Sequence, residues 1–285
     1  MQYYAVGDIG KYKNSSMPDE FSKQGGFAYC AQTTFAQNGK TSTLVCNTGR
    51  DFTDIFRRWI DLYNIDLKAM SVRTQYTPCE TLSFEENGIA EMVECPEIRY
   101  ALRMRGYLSS TPQQIKAAID FGRAGTLCLS HDADAIYWNE IKKIKQENNL
   151  TILWRLESYK GYSTPIEKVR NAGYACDIMI MDYSGWTTLE GINTNDKKST
   201  VEYIRHLNIP VSVLFNDKEV HVVTGKEMFS VSSIGYKYFI GNYGLIGSFY
   251  AGFLLGYEKG DLFFAALEGN RAVLDFIDTE HFQYS

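Results

Sequence analysis

Apolar residues fall along this chain in two patterns. A short apolar run at residues 3–9, ending in Gly7-Asp8, and a second short segment at 41–46 have the length of buried strands, while residues 25–39 and 51–63 carry apolar positions at helical spacing. Gly25-Gly26 opens the first of these helices and Gly39 closes it. A β-α-β-α opening of this kind predicts a mostly parallel sheet covered by helices. The pattern changes at about 68–95. There "VRTQYTPCETLSFEENGIAEMVEC" alternates, is rich in Thr and other strand formers, and sets Asn87-Gly88 at a natural hairpin turn. This predicts a small antiparallel excursion, a β lid or an interface. Val72, Tyr76, Leu82 and Phe84 give it an apolar face that needs cover, from a partner lid or over a pocket. Beyond it the alternation resumes, with strands at 125–130, 150–154 and 177–182 and helices at 134–149, 164–173 and 198–208. An antiparallel run follows at 210–233, then two closing helices at about 247–257 and 262–276. With no repeat and no linker, the reading is a single α/β domain over 1–285 that carries the lid as an insertion.

Composition narrows the function classes. At 45% hydrophobic and 22% charged residues the chain is globular. A net charge of −5 with scattered Lys and Arg argues against nucleic acid and against an anionic membrane surface. The longest apolar stretch, 249–257, is far short of a membrane span, and "MQYYAVGDIG" lacks the features of a signal peptide. The cysteines at 30, 46, 79, 95, 128 and 176 contain no C-x-x-C, and most lie in apolar segments. Neither disulfides nor zinc is expected, and a cytoplasmic location is.

Several fragments suggest chemistry. "NGKTS" at 38–42 imitates the end of a Walker A loop, but Thr34 stands where its first Gly belongs and the run lies between a helix and a strand. "TGKE" at 224–227 fails in the same way, with Val220 in the Gly place. "SHDAD" at 130–134 follows an apolar strand. His131, Asp132 and Asp134 are either metal ligands or, for the two acids, N-caps of the next helix. The histidines at 206, 221 and 281 have no partner at ligand spacing. In "GNYGLIGSFYAGFLLG", 241–256, two glycines precede an apolar helix whose small residues are spaced for close packing. A Gly-containing turn at a helix N-terminus is where backbone N–H groups gather around an anion.

These pieces form an ordered set. Gly7-Asp8 ends the first strand, Gly25-Gly26 heads "GGFAYCAQTTFAQNG", "NTGRDF" follows the second strand, the lid comes next, and "SFYAGFLLG" is the last helix but one. Over nearly the whole chain the set resembles the ribokinase-like (PfkB) family of carbohydrate kinases. The resemblance implies a central, mostly parallel sheet flanked by helices with a small β lid. It also implies ATP-dependent phosphoryl transfer to a sugar-like hydroxyl, with ATP and Mg²⁺ as cofactors if the chain is active. A homodimer through the lid would fit it. Carried onto this sequence, the substrate positions are Asp8, Gly25, Gly26 and Cys30, and the anion or nucleotide positions are Gly244, Gly247 and Ser248. No residue is implied as a direct metal ligand.

The departures fall on the chemistry. The family signature D-T-x-G-A-G-D ahead of A-F-x-A-G-F is here "GNYGLIGSFYAGF", so Gly247 occupies the place of the catalytic Asp and Gly241 that of the leading Asp. Leu245 and Ile246 fill the narrow anion turn. Cys30 replaces an Asn that bonds a sugar hydroxyl, and the second acid expected after Gly7-Asp8 falls near Tyr12. Asp182 stands in the Asn place of the N-x-x-E element, with no Glu three residues on, and "LFNDKEV" offers none of the nucleotide-turn glycines. Loss of a general base alone costs about 10²–10⁴ in rate. The expectation is therefore a pseudokinase, with the fold kept and the standard mechanism impaired or lost. The alternatives are a non-catalytic ligand-binding or regulatory protein, or a structural partner dimerising through the lid.

Overall fold

The computed structural model describes residues 1–14, 23–84, 90–92, 109–119, 124–157, 163–181, 189–192, 196–215, 218–235 and 244–284. The chain opens with strand β1 (Gln2–Val6), β2 (Gly10–Asn14) and β3 (Lys23–Gly25), then helix α1 (Phe27–Gln37). Strands β4 (Ser42–Val45) and β5 (Asn47–Gly49) precede short helices α2 (Phe52–Ile55) and α3 (Arg57–Tyr63). Next come β6 (Ser71–Thr74), β7 (Cys79–Phe84), β8 (Ala90–Met92), α4 (Pro112–Ala118), β9 (Gly125–His131), α5 (Ala135–Asn148) and β10 (Leu150–Leu156). The C-terminal half adds α6 (Ile166–Gly173), β11 (Ile178–Met181), α7 (Lys197–Arg205), β12 (Val211–Phe215), β13 (Glu219–Thr224), β14 (Met228–Ser232), α8 (Ile246–Tyr257) and α9 (Leu262–Tyr284).

The main sheet has eight strands in the order β14-β13-β12-β11-β10-β9-β1-β4. From β12 to β4 every pairing is parallel, and β13 and β14 complete the sheet antiparallel. Its inner strands are mostly apolar because both faces are covered. Tyr3 and Ala5 point into a core shared with α1, α3, α8 and α9, whereas Tyr4 and Val6 point into one shared with α4, α5, α6 and α7. The α8–α9 contact depends on small residues. A Cβ on Gly252 would lie 2.5 Å from the Ala272 Cβ and 2.6 Å from the Glu268 carbonyl, and one on Gly256 would lie 2.5 Å from the Ala265 Cα.

The expected layout holds, with the elements longer or shorter at their ends and helix 51–63 divided at Phe56. Of the two readings of Asp134, capping is realised: its carboxylate accepts from the Tyr137 N–H at 2.7 Å. The small sheet is wider than the sequence reading. It runs β3-β2-β7-β8, so the loop after β1 supplies half of it, and β7 lies parallel to β2 while pairing antiparallel with β8. β6 instead joins β5 in a separate parallel pair. Asp51 anchors the link between β6 and β7, accepting from the Thr77 N–H at 2.6 Å and the Thr77 hydroxyl at 2.7 Å. Asn87-Gly88 lies outside the described residues. Among the described residues no helix is long and apolar enough to cross a membrane.

Candidate active site at the C-terminal edge of the sheet

In open α/β sheets ligands bind beyond the C-terminal ends of the parallel strands, and here β1, β9 and β10 end beside the first turns of α1 and α8. The chain leaves β1 through Gly7-Asp8. One Asp8 carboxylate oxygen lies 3.3 Å from the Phe27 N–H, and the Asp8 carbonyl accepts from the Ala28 N–H at 3.0 Å. A carboxylate suits that place because the first helical N–H groups carry partial positive charge. Gly26 has φ of 113°, and a Cβ there would lie 2.6 Å from the Asp8 carbonyl oxygen, so glycine is required twice over.

The turn before α8 closes onto this corner. Gly244, with φ of 82°, packs backbone to backbone on Gly26; a Cβ at Gly244 would lie 2.2 Å from the Gly26 carbonyl carbon. Gly247 packs on α1, where a Cβ would lie 2.3 Å from the Phe27 carbonyl oxygen. The Gly247 N–H donates to the Gly244 carbonyl at 2.7 Å and the Ser248 N–H to the Leu245 carbonyl at 2.9 Å. Leu245, Ile246 and Ser248 are buried, and the Ser248 hydroxyl donates to the Cys30 carbonyl at 3.3 Å. Cys30 is itself buried in α1. The glycines singled out in the sequence therefore meet in one place, as a helix-on-helix contact. Gly25, the last residue of β3, pairs with Gly10 in the small sheet.

Facing this corner is a polar cluster that the sequence reading only touched. The parallel register sets Arg155 beside Ser130. The Ser130 hydroxyl donates to a Glu157 carboxylate oxygen at 2.8 Å, and Arg155 Nη1 donates to the same hydroxyl at 3.3 Å. The Arg155 guanidinium lies over the Phe27 ring, 5.6 Å from its centroid. A charged pair in "WRLE", directly after an apolar strand, was the signal available for it. His131 stacks on Tyr137 with ring centroids 3.6 Å apart, and its Nδ1 lies 3.0 Å from an Asp132 carboxylate oxygen. Burial opposes a charge on His131, but the Asp132 hydrogen bond and the nearby Glu157 outweigh it and raise the imidazole pKa. The hydrogen bond from His131 in turn lowers the Asp132 carboxyl. Burial pushes the Cys46 thiol far up, and the Asp8 charge adds to that. Among the described residues no three His, Cys, Asp or Glu side chains group as a metal site. Tyr12, near which the second acid was expected, is buried in β2. Gly241 and the element beginning at Asp182 lie outside the described residues.

No family model matches the sequence, and no curated protein matches it. Solved structures do match. The apo fructokinase from Vibrio cholerae O395 superposes with a TM-score of 0.67 at 14% identity, covering 100% of this chain and 99% of that one. The fold is ribokinase-like. Aminoimidazole riboside kinase from Salmonella enterica, complexed with aminoimidazole riboside and an ATP analogue, gives 0.69 at 11% identity over 96% and 92% of the two chains. A pyrophosphate-dependent kinase in the ribokinase family, complexed with a pyrophosphate analogue and myo-inositol, gives 0.66 at 14% identity over 95% and 92%. At these identities the likeness establishes the ribokinase-like fold, and the side chains at the corner have to be judged on their own chemistry.

Proposed function

We propose that this chain is a carbohydrate-kinase homologue in which phosphoryl transfer is impaired or lost. It holds a small sugar-like molecule between Asp8 and the Ser130–Arg155–Glu157 cluster, near the small sheet. The observation that carries the reading is the packed turn before α8. The N–H groups of Gly247 and Ser248 are committed to carbonyls of their own turn, and Gly247 has no space for a carboxylate. Phosphoryl transfer relies on positioned donors around the moving group, and a proton must leave the attacking hydroxyl. The residues at this corner do not fit a transferring phosphate of ATP, with or without Mg²⁺. The ligand class is drawn by analogy from structural neighbours that hold fructose, aminoimidazole riboside or myo-inositol. Asp8, Ser130 and Glu157 supply the oxygen acceptors that hydroxyl groups need.

Titration calorimetry with Mg-ATP is expected to give no binding at physiological nucleotide concentration, and a micromolar dissociation constant would contradict the reading. A panel of sugars should contain at least one that raises the melting temperature saturably. If none does, the chain is a structural partner rather than a ligand-binding one. The same proposal includes a homodimer through the lid insertion, where Val72 in β6 and Tyr76 in the link to β7 are 50% and 72% exposed. Sedimentation equilibrium is expected to return twice the chain mass; a strict monomer removes that part.

A further inference from the structure

At the opposite, N-terminal edge of the parallel strands, the connections into β11 and β12 border a shallow, solvent-open pocket of about 390 Å³. It is lined by Arg170, Tyr174, Arg205, His206 and Asn208. Both arginines are held by their Nε atoms, Arg170 donating to the His206 carbonyl at 3.1 Å and Arg205 to the Thr224 carbonyl at 3.2 Å. Arg170 Nη1 spans both oxygens of Glu167 at 3.1 and 3.2 Å. Among the described residues the Nη groups of Arg205 make no hydrogen bond. His206 Nδ1 lies 2.6 Å from the Glu202 carbonyl, which can only accept, so Nδ1 carries the proton and Nε2 is the other face of the ring. Lys142 lies 5.8 Å from the centroid of Tyr174.

A structural role explains part of this. Arg170 and Arg205 sit near the ends of α6 and α7, where cations offset the helix dipole, and their Nε donors tie α6 to the end of α7 and α7 to the end of β13. That role uses the Nε donors. It leaves over the Nη fork of Arg205, with its plane oriented by the Nε bond, and it does not account for a pocket beside it. A fork of this kind matches the spacing of two oxygens on one phosphorus. Glu167 neutralises Arg170, so Arg205 is the cation of this pocket left to meet an anion.

We propose that this pocket binds a phosphate monoester through its phosphate group, with Arg205 as the main contact and Arg170 beside it. The volume exceeds what a phosphate fills, which leaves room for the esterified group against Tyr174. The site is independent of the ligand proposed at the C-terminal edge.

The test is titration calorimetry of the full chain at low salt with inorganic phosphate and with phenyl phosphate, repeated on Arg205→Gln and on the distant control Arg271→Gln. Saturable binding is expected, with phenyl phosphate at least as tight as inorganic phosphate. Arg205→Gln should weaken both by roughly tenfold or more, because a charge-assisted bidentate contact is lost, and Arg271→Gln should leave them unchanged. Amide chemical shifts of the wild type give a readout that needs no variant: phosphate should move residues around 170–174 and 205–208. Binding of inorganic phosphate alone would overturn the monoester assignment. A non-saturating response, an unaffected Arg205→Gln, or shifts confined to the neighbourhood of Gly26 and Gly244 would overturn the site.

Discussion

Gly247→Asp is expected to destabilise the protein strongly and to create no kinase. The substitution would restore a carboxylate where the resemblance to sugar kinases asks for a base. Its Cβ, however, would lie 2.3 Å from the Phe27 carbonyl oxygen and 3.2 Å from the Ala31 backbone nitrogen. Both are backbone atoms of one helix, so relief requires α1 and α8 to move apart. Overpacking of this kind costs about 1–3 kcal/mol, and a carboxylate forced against a carbonyl adds desolvation and repulsion, for a total of about 3 kcal/mol or more. In a chain of this size that corresponds to a fall in melting temperature of roughly 6–12 °C. The Gly247 and Ser248 N–H groups would remain bonded within the turn, and groups that act as one catalytic unit are not mended singly. Thermal unfolding beside an ADP-release assay checks both halves. An unchanged melting temperature would show that the α1–α8 contact is looser than described.

Gly252→Val should be nearly as damaging, for reasons unrelated to chemistry. The Cβ would meet the Ala272 Cβ at 2.5 Å and the Glu268 carbonyl oxygen at 2.6 Å, and the branched side chain extends further into α9. Separating two helices that form one wall of the core is expected to cost about 3 kcal/mol. Gly225→Ala is the matched control. It has open space around its Cβ position and should stay within about 0.5 kcal/mol of wild type. Urea unfolding reads this as a lowered midpoint at an unchanged slope for Gly252→Val alone.

The architecture was legible because its inner strands are buried on both faces. "YYAV" and "IMIM" are continuous apolar runs, and the helices between the strands keep one apolar face. The small sheet was legible only in part. β2 is "GKYKN" and β3 is "KQG", polar segments without strand periodicity, placed by pairing partners distant in sequence and by the Lys11 N–H donating to the Pro78 carbonyl at 2.8 Å. At the candidate site the glycines could be read in advance, since Gly26 and Gly244 sit where two backbones touch and no side chain fits. Of the polar cluster only the charged pair in "WRLE" had a local signal. Ser130 and Arg155 are 25 residues apart and meet only through the parallel register of β9 and β10. That register is a property of the whole sheet and leaves no local mark. The basic pocket was missed for the same reason, as Arg170 and Arg205 belong to different helices.

The most direct test of the central claim is a coupled ADP-release assay on the wild-type chain with Mg-ATP and a panel of common sugars. A ribokinase-like fold whose turn before α8 is packed on α1, with its Gly247 and Ser248 N–H groups bonded within the turn and no carboxylate at Gly247, predicts ADP release no faster than the protein-free background with every sugar. Saturable, sugar-dependent ADP release would contradict the account, since the turn before α8 would then have to open and another group would have to take the proton.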